Sequence, residues 1–394
     1  MAENGTTEKN DTLFERYSII DIEQYLRLIH DKLAQGTPKD AIKRALDITD
    51  FNELYEIALT RDQAYDKTSK PFYLTRDDLR FATNELVAAY RAKRLACQTL
   101  VEIGAGIGLQ TVAFAKTCAH VIAIEIDPRK TSYLEANLKL HHITNVTIIT
   151  GDCLDVVDRI DHADVIFCDP ERAPTEDERS ISTIQPHLPK VIELYGKLTD
   201  KIAIELPPQI HDIPFDCERE YTSVNHELNR LTVYLGSLKN QDASAILLPG
   251  EWRLEKEAAT EKKTEKKPEK KAGRYLAELD DAIVAAGLAD QLPGANWKNN
   301  IGAFHTADTL ADLGAPAFSK HRYRVRASCS SEQDFIQTLH RERIGKITYR
   351  ANVKPSDYWS TRNKIEKGLT GRREAVVLIS GKEWLLAEEL GRNR

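Results

Sequence analysis

Glu102-Ile103-Gly104-Ala105-Gly106-Ile107-Gly108 closes an apolar run, Thr99 to Ile103, and opens a helical one, Gln110 to Cys118. Glycines between a strand and a helix allow a tight turn and let the backbone approach a ligand closely. Such a turn by itself does not name the ligand. The dinucleotide fingerprint wants its third glycine where Leu109 stands, so that pattern is broken. Glu102, just before the first glycine, suits a ligand with a positively charged end instead.

Outward from this turn, short apolar runs alternate with helical stretches. Strands are expected at Val121 to Ile126, Val146 to Thr150, Val165 to Cys168 and Ile202 to Glu205, with a helix over Lys130 to His141. Alternation of this kind predicts a parallel sheet covered on both faces. Open sheets bind ligands beyond the carboxyl ends of their strands, and an acid recurs at that position. Glu125 lies about 20 residues past the glycines, where it can accept both hydroxyls of a ribose. Asp127 is the alternative partner, and strand alternation favours Glu125. Asp152, in Gly151-Asp152-Cys153, falls where an adenine amino group would lie, and Cys153 is counted with it. Asp169 ends the fourth strand, in Cys168-Asp169-Pro170-Glu171-Arg172. Any one of these acids would serve as a helix cap or turn residue. Four in order along one sheet edge are poorly explained by caps and turns alone, and Glu102, Glu125 and Asp152 suit the ammonium, ribose and base of S-adenosylmethionine.

The run Thr99 to Pro170 resembles class I methyltransferases, in particular the trimethylguanosine-synthase-like RNA methyltransferases. Upstream, Leu74 to Thr83 and Val87 to Ala92 resemble the lead-in helix of prokaryotic members that carry a C-terminal THUMP-like domain. Downstream, Tyr275 to Ile283 and Ala286-Gly287-Leu288 are similar to their post-catalytic segment, and Tyr323-Arg324-Val325 through Gly345-Lys346-Ile347 to their terminal module. The resemblance covers roughly residues 71 to 394. It implies cofactor contacts at Glu102, Gly104, Gly106, Glu125 and Asp152, with Asp169 facing the substrate. Amino-directed members often follow the acid with Pro-Pro-aromatic, and here Glu171 and Arg172 stand in place of the second proline and the ring. Pyrimidine C5 enzymes need a cysteine nucleophile after the fifth strand. Ile204-Glu205-Leu206-Pro207-Pro208 offers none, so covalent C5 methylation is disfavoured.

The expected fold is therefore α/β: a Rossmann-like class I methyltransferase sheet, an N-terminal helical region and a small C-terminal α+β THUMP-like domain. The expected boundaries are 1–70 for the helices, 71–252 for the methyltransferase domain, 253–274 for a charged linker, 275–317 for a post-catalytic extension and 318–394 for the terminal domain. In the first region Ile22, Tyr25, Leu26 and Ile29 recur at helical spacing, as do Ile42, Ala45 and Leu46, with Thr37-Pro38 at a helix start. Residues 255–274 are a Lys/Glu-rich tract that cannot bury a core.

Composition sets outer limits. Hydrophobic residues are 41% and charged residues 29% of the 394, with no apolar stretch near the roughly 20 residues of a membrane span. Six scattered cysteines lack the spacing of a metal or redox site. The N-terminus lacks a secretory apolar core. A cytoplasmic, metal-free protein is expected. The net charge of −6 is uneven: from Phe318 onward 17 Lys/Arg face 9 Asp/Glu. Alternation along His321 to Arg326 places Arg322, Arg324 and Arg326 on one face of a strand, and Arg372 and Arg373 add charge in a turn. These five are the candidate RNA contacts, with Tyr358 and Trp359 as candidate stacking aromatics, although aromatics at a helix start more often serve a core. Asp169, Glu171 and Arg172 are the candidate catalytic residues, acting on a base nitrogen in RNA (tRNA or rRNA). A small-molecule or protein methyltransferase, and a cofactor-binding protein without turnover, remain the alternatives.

Overall fold

The computed structural model describes residues 12–172, 181–256 and 269–391. The chain divides into two compact units. The first comprises residues up to 217 together with 232–240, and the second comprises 218–231 together with 241 onward.

The first unit is built on strands β1 (Thr99–Ile103), β2 (His120–Glu125), β3 (Val146–Thr150), β4 (Val165–Cys168) and, after a two-residue pair β5 (Glu171–Arg172) and β6 (Ile184–Gln185), β7 (Ile202–Leu206). Their order is β7-β4-β1-β2-β3, all parallel. The continuous apolar runs of β1, β4 and β7 are buried along nearly their whole length, as strands covered on both faces must be. This is the Rossmann-like arrangement that the sequence predicts. Register puts Glu102 beside Ala123 and Phe167, and Phe167 beside Ala203. Side chains alternate between faces along a strand, so Glu102, Glu125 and Glu205 all project from one face near the carboxyl ends.

The N-terminal helices belong to this unit. Ile22, Leu26 and Ile29 of the helix Ile19–Ala34, and Leu54, Ile57 and Ala58 of the helix Phe51–Ala64, are buried in one core with Tyr133 and Leu134 of the helix Pro128–Leu140. Pro38 is the N-cap of the helix Lys39–Leu46. Arg61 forks onto Glu23 at 2.7 and 3.0 Å, and Tyr73 donates to the same carboxylate at 2.6 Å. The region expected as a separate helical segment thus shares a core with the sheet domain.

In the second unit β8 (Cys217–Val224) pairs parallel with β10 (Ala243–Leu248), which pairs antiparallel with β11 (Trp252–Glu255); β9 (Glu227–Leu235) is divided between the units. The remaining strands are β12 (Glu269–Lys270), β13 (Tyr275–Leu279), β14 (Ala295–Trp297), β15 (Phe304–Ala307), β16 (Ser319–Cys329), β17 (Ile344–Ala351), β18 (Arg373–Ser380) and β19 (Glu383–Glu389). They form one sheet in the order β12-β14-β15-β13-β16-β19-β18-β17. The boundary expected at 317/318 therefore falls inside a single sheet. Its reason is register: β13 is hydrogen-bonded to β15 on one side and β16 on the other, and Leu276, Trp297 and Phe304 share a core with Tyr323, Leu378 and Leu385. Of the expected linker, residues 257–268 lie outside the described residues.

Candidate active site

The glycine turn is shaped by hydrogen bonds from neighbouring strands. The amides of Gly104 and Ala105 donate to Ile124 O at 3.0 and 3.1 Å, and the amide of Asp169 donates to Ile103 O at 2.9 Å. Gly104 has φ +78°, and a Cβ there would stand 2.4 Å from the Asp169 carbonyl oxygen. Both conformation and contact demand glycine. Gly106 (φ +58°) faces open space, the room a ligand requires.

Glu125 ties the turn to the second strand. One carboxylate oxygen accepts from the Gly106 amide at 2.7 Å and the other from the Asp127 amide at 3.0 Å. Asp127 is committed to its own helix, capping Arg129 N at 2.8 Å. Asp152 likewise caps a short helix through Leu154 N at 2.9 Å. Beside it Cys153 is buried, and burial together with the Asp152 charge pushes its thiol up to about 12.

Glu102 is 1% exposed, and its Oε2 has no hydrogen-bond partner among the described residues. Burial, with Asp169 and Glu125 adding repulsion, pushes its carboxyl up to about 8, against the opposing pull of Thr111 and Arg91. A buried carboxyl with an orphaned oxygen is stabilised by an incoming cation.

The other candidates are distributed differently. Glu171 is largely exposed and forms an ion pair with Lys130 of the helix Pro128–Leu140. Arg172 pairs through its backbone with Ile184, and its side chain lies outside the described residues. In the second unit, Arg322 donates to Leu310 O and Gly314 O, both at 3.1 Å, and Arg326 pairs with Glu388. The register of β16 shifts between Val325 and Ala327, at Arg326. Arg324 lies 5.9 Å from the Tyr275 ring centre. Arg373 reaches Glu342 at 3.6 Å, and Arg372 is exposed in the turn before β18. Tyr358 packs on Tyr349, whereas Trp359 is exposed.

Three residues were not singled out from sequence. Ile126 is 63% exposed directly after Glu125, an apolar side chain at the carboxyl end of the second strand. Arg91 and Glu205 form a buried ion pair. The signals were present: an arginine within the apolar stripe Val87, Ala88, Ala92, and one more acid at a strand's carboxyl end.

These features define the class. Residues 88–212 match the TRM5/TYW2 methyltransferase domain, so the chain carries a class I methyltransferase domain, whose cofactor is S-adenosylmethionine. Ribosomal RNA small subunit methyltransferase A of Syntrophus aciditrophicus is 49% identical over 57 residues, 14% of this chain and 20% of that protein. A relative from Methanosphaera stadtmanae bearing the same family name is 44% identical over 59 residues, 15% of this chain and 22% of that protein. The chain thus spans about a fifth of the length of these curated relatives. A candidate methyltransferase from Porphyromonas gingivalis W83 shares the fold along nearly its whole length: TM-score 0.72, 17% identity, covering 94% of this chain and 97% of that one.

Proposed function

We propose that the protein is an S-adenosylmethionine-dependent RNA methyltransferase acting on a base nitrogen of tRNA or rRNA, with a THUMP-like C-terminal region that holds the RNA. The observation that carries the cofactor half of this reading is Glu102: a buried carboxyl with an orphaned oxygen at the glycine turn. The residues fit the group. Glu102 would take the ammonium of the methionine end and Glu125 the ribose hydroxyls. Asp152 would accept from the adenine amino group, with Cys153 behind it and Ile126 beneath the ring. Gly104 and Gly106 let the backbone close on the ligand. The cofactor supplies a methyl carbon already activated on a sulfonium, so the chain's task is chiefly alignment. Asp169, whose backbone forms the wall against Gly104, would orient the acceptor nitrogen and receive its proton. Glu171, tethered by Lys130 at the site's edge, and Arg172 would meet the flanking nucleotide.

RNA as the acceptor is supported by the matching domain family, by the ribosomal RNA methyltransferase relatives and by the basic residues beyond Phe318. Labelled S-adenosylmethionine with total RNA from a strain lacking the protein, followed by digestion and separation of nucleosides, tests the reading. A labelled N-methyl nucleoside is expected, lost in Asp169→Ala. Label confined to small molecules or protein would replace the RNA acceptor by one of those classes.

A further inference from the structure

The helix Glu85–Arg94 buries Val87, Ala88 and Ala92, and Arg91 lies on the same stripe, 1% exposed. One of its guanidinium nitrogens donates to Gln110 Oε1 at 2.8 Å. The second terminal nitrogen pairs with Glu205 and reaches Thr232 Oγ1 at 3.3 Å, Nε has no partner among the described residues, and the guanidinium carbon sits 4.6 Å from the centre of the Phe167 ring. Phe167 is the register neighbour of Glu102 on one side and of Ala203, two residues before Glu205, on the other. Alternation puts Glu102, Phe167 and Glu205 on one face. Arg91 therefore lies over the strand that separates two carboxylate-bearing strands, and that same strand runs on into Asp169.

Taking a guanidinium out of water is unfavourable unless its charge is met. Glu205 meets it once, yet Glu102, Asp169 and Glu125 add three further carboxyls at this end of the sheet. The charges that act on Glu102 are Asp169, Glu125 and Arg91; the carboxylates that act on Arg91 are Glu205 and Asp169. A tie between helix and strand alone would need only the Arg91–Glu205 pair. It would not call for the pair to stand beside an acid with an orphaned oxygen.

The geometry points to Arg91 as a positioning residue of the methyl-donor site: held by Glu205 and Gln110, its guanidinium is the counter-charge that lets the buried Glu102 and the half-buried Asp169 lie at the same end of the sheet and meet a cationic ligand as carboxylates. This rests on the proposed function, because the cation is the ammonium of the cofactor. Two opposite consequences follow. Removing the positive charge makes ionisation of Glu102 harder. Removing Glu205's negative charge leaves Arg91 acting on Glu102 unopposed, and makes ionisation easier.

The test is the affinity of the full chain for S-adenosylhomocysteine, measured by calorimetry between pH 6 and 9. Wild type, Arg91→Met, Arg91→Lys and Glu205→Gln are compared, with circular dichroism to establish folding. In wild type, binding tightens as pH rises and levels off near the point where Glu102 ionises. In Arg91→Met that midpoint moves up by about one pH unit, a weakening of about tenfold at pH 7. In Glu205→Gln it moves down, and in Arg91→Lys it stays near wild type. Folded Arg91→Met and Glu205→Gln proteins with the wild-type midpoint would reduce Arg91 to a structural tie and overturn the inference. Should Arg91→Met not fold, the downward shift in Glu205→Gln decides alone. A wild-type protein that binds no S-adenosylhomocysteine at any pH removes the proposed function itself, a failure distinct from an unmoved midpoint.

Discussion

At Gly104 two constraints coincide, a left-handed backbone and a carbonyl where a side chain would be. Gly104→Ala must move either the turn or Asp169, and both border the proposed cofactor site. We expect its affinity for S-adenosylhomocysteine to fall at least about 100-fold while most of the secondary structure survives; alanine substitution where φ is positive destabilises the native turn. Isothermal calorimetry checks it, and near-normal affinity would mean the turn does not contact the ligand. Glu102 makes a second residue-scale prediction, on stability. Burial, then Asp169 and Glu125, raise its carboxyl above the ordinary glutamate value. Between that ordinary value and about 8 the folded state holds a proton that the unfolded state has released. Stability of the ligand-free protein therefore falls as pH rises through that window. Glu102→Gln removes this contribution, so its urea midpoint should decline less between pH 5 and 8. A wild-type midpoint that climbed in step with the variant's would contradict the raised ionisation.

Elements are joined around the proposed site by a few buried polar residues, and Asn137 makes three such bonds. From the helix Pro128–Leu140 its side chain donates to Tyr73 O at 3.0 Å and Ile107 O at 2.8 Å, and accepts from Tyr73 N at 2.7 Å. One amide thus fixes the lead-in segment and the glycine turn together. Asn137→Leu would strand three buried backbone groups, each costing about 1–3 kcal/mol. We expect a clear loss of stability in urea and weaker cofactor binding together, since the same bonds hold Ile107. Elements of this sheet were legible because their patterns are local: β3 and β4 fall at the residues that the apolar runs mark, and the strand-end acids follow at fixed places. What escaped the sequence depends on distant partners. Nothing near Arg91 announces Glu205, 114 residues on. Nothing near Tyr275 announces that β13 lies between β15 and β16 rather than outside the terminal module. Asn137 looks like any polar residue of a helix until Tyr73 and Ile107 are beside it. The strand of alternating arginines was visible, but its use was not: one terminal nitrogen of Arg322 donates to both Leu310 O and Gly314 O, and Arg326 meets Glu388 across the strands.

For the whole molecule, that difference decides how the proposed RNA contact of the C-terminal arginines can be tested. Cutting the chain at residue 317 would remove β16–β19 from a sheet that also contains β12–β15, exposing Leu276, Trp297 and Phe304. A truncated protein would lose RNA through misfolding whether or not the region binds it. Charge reversal at the surface avoids this. Arg372 is exposed, and Arg373, also exposed, meets Glu342 through its carboxylate at 3.6 Å and its backbone carbonyl at 3.4 Å, so Arg372→Glu/Arg373→Glu should lower the melting temperature only slightly. Phosphate contacts release counterions, about 0.7 per contact on a single strand and 0.9 on a duplex. If both arginines touch phosphate, the slope of log affinity against log salt should shrink by about 1.4 to 1.8 in the double variant. Arg322→Gln should do something else. It breaks two hydrogen bonds to backbone carbonyls, so stability should fall more than the salt slope does. Fluorescence anisotropy with a bulk tRNA fraction across 50 to 200 mM salt, beside thermal melts, separates the two. A slope unmoved in the double variant would take RNA contact away from this turn. A slope that fell only in Arg322→Gln would place the phosphate path along β16 instead.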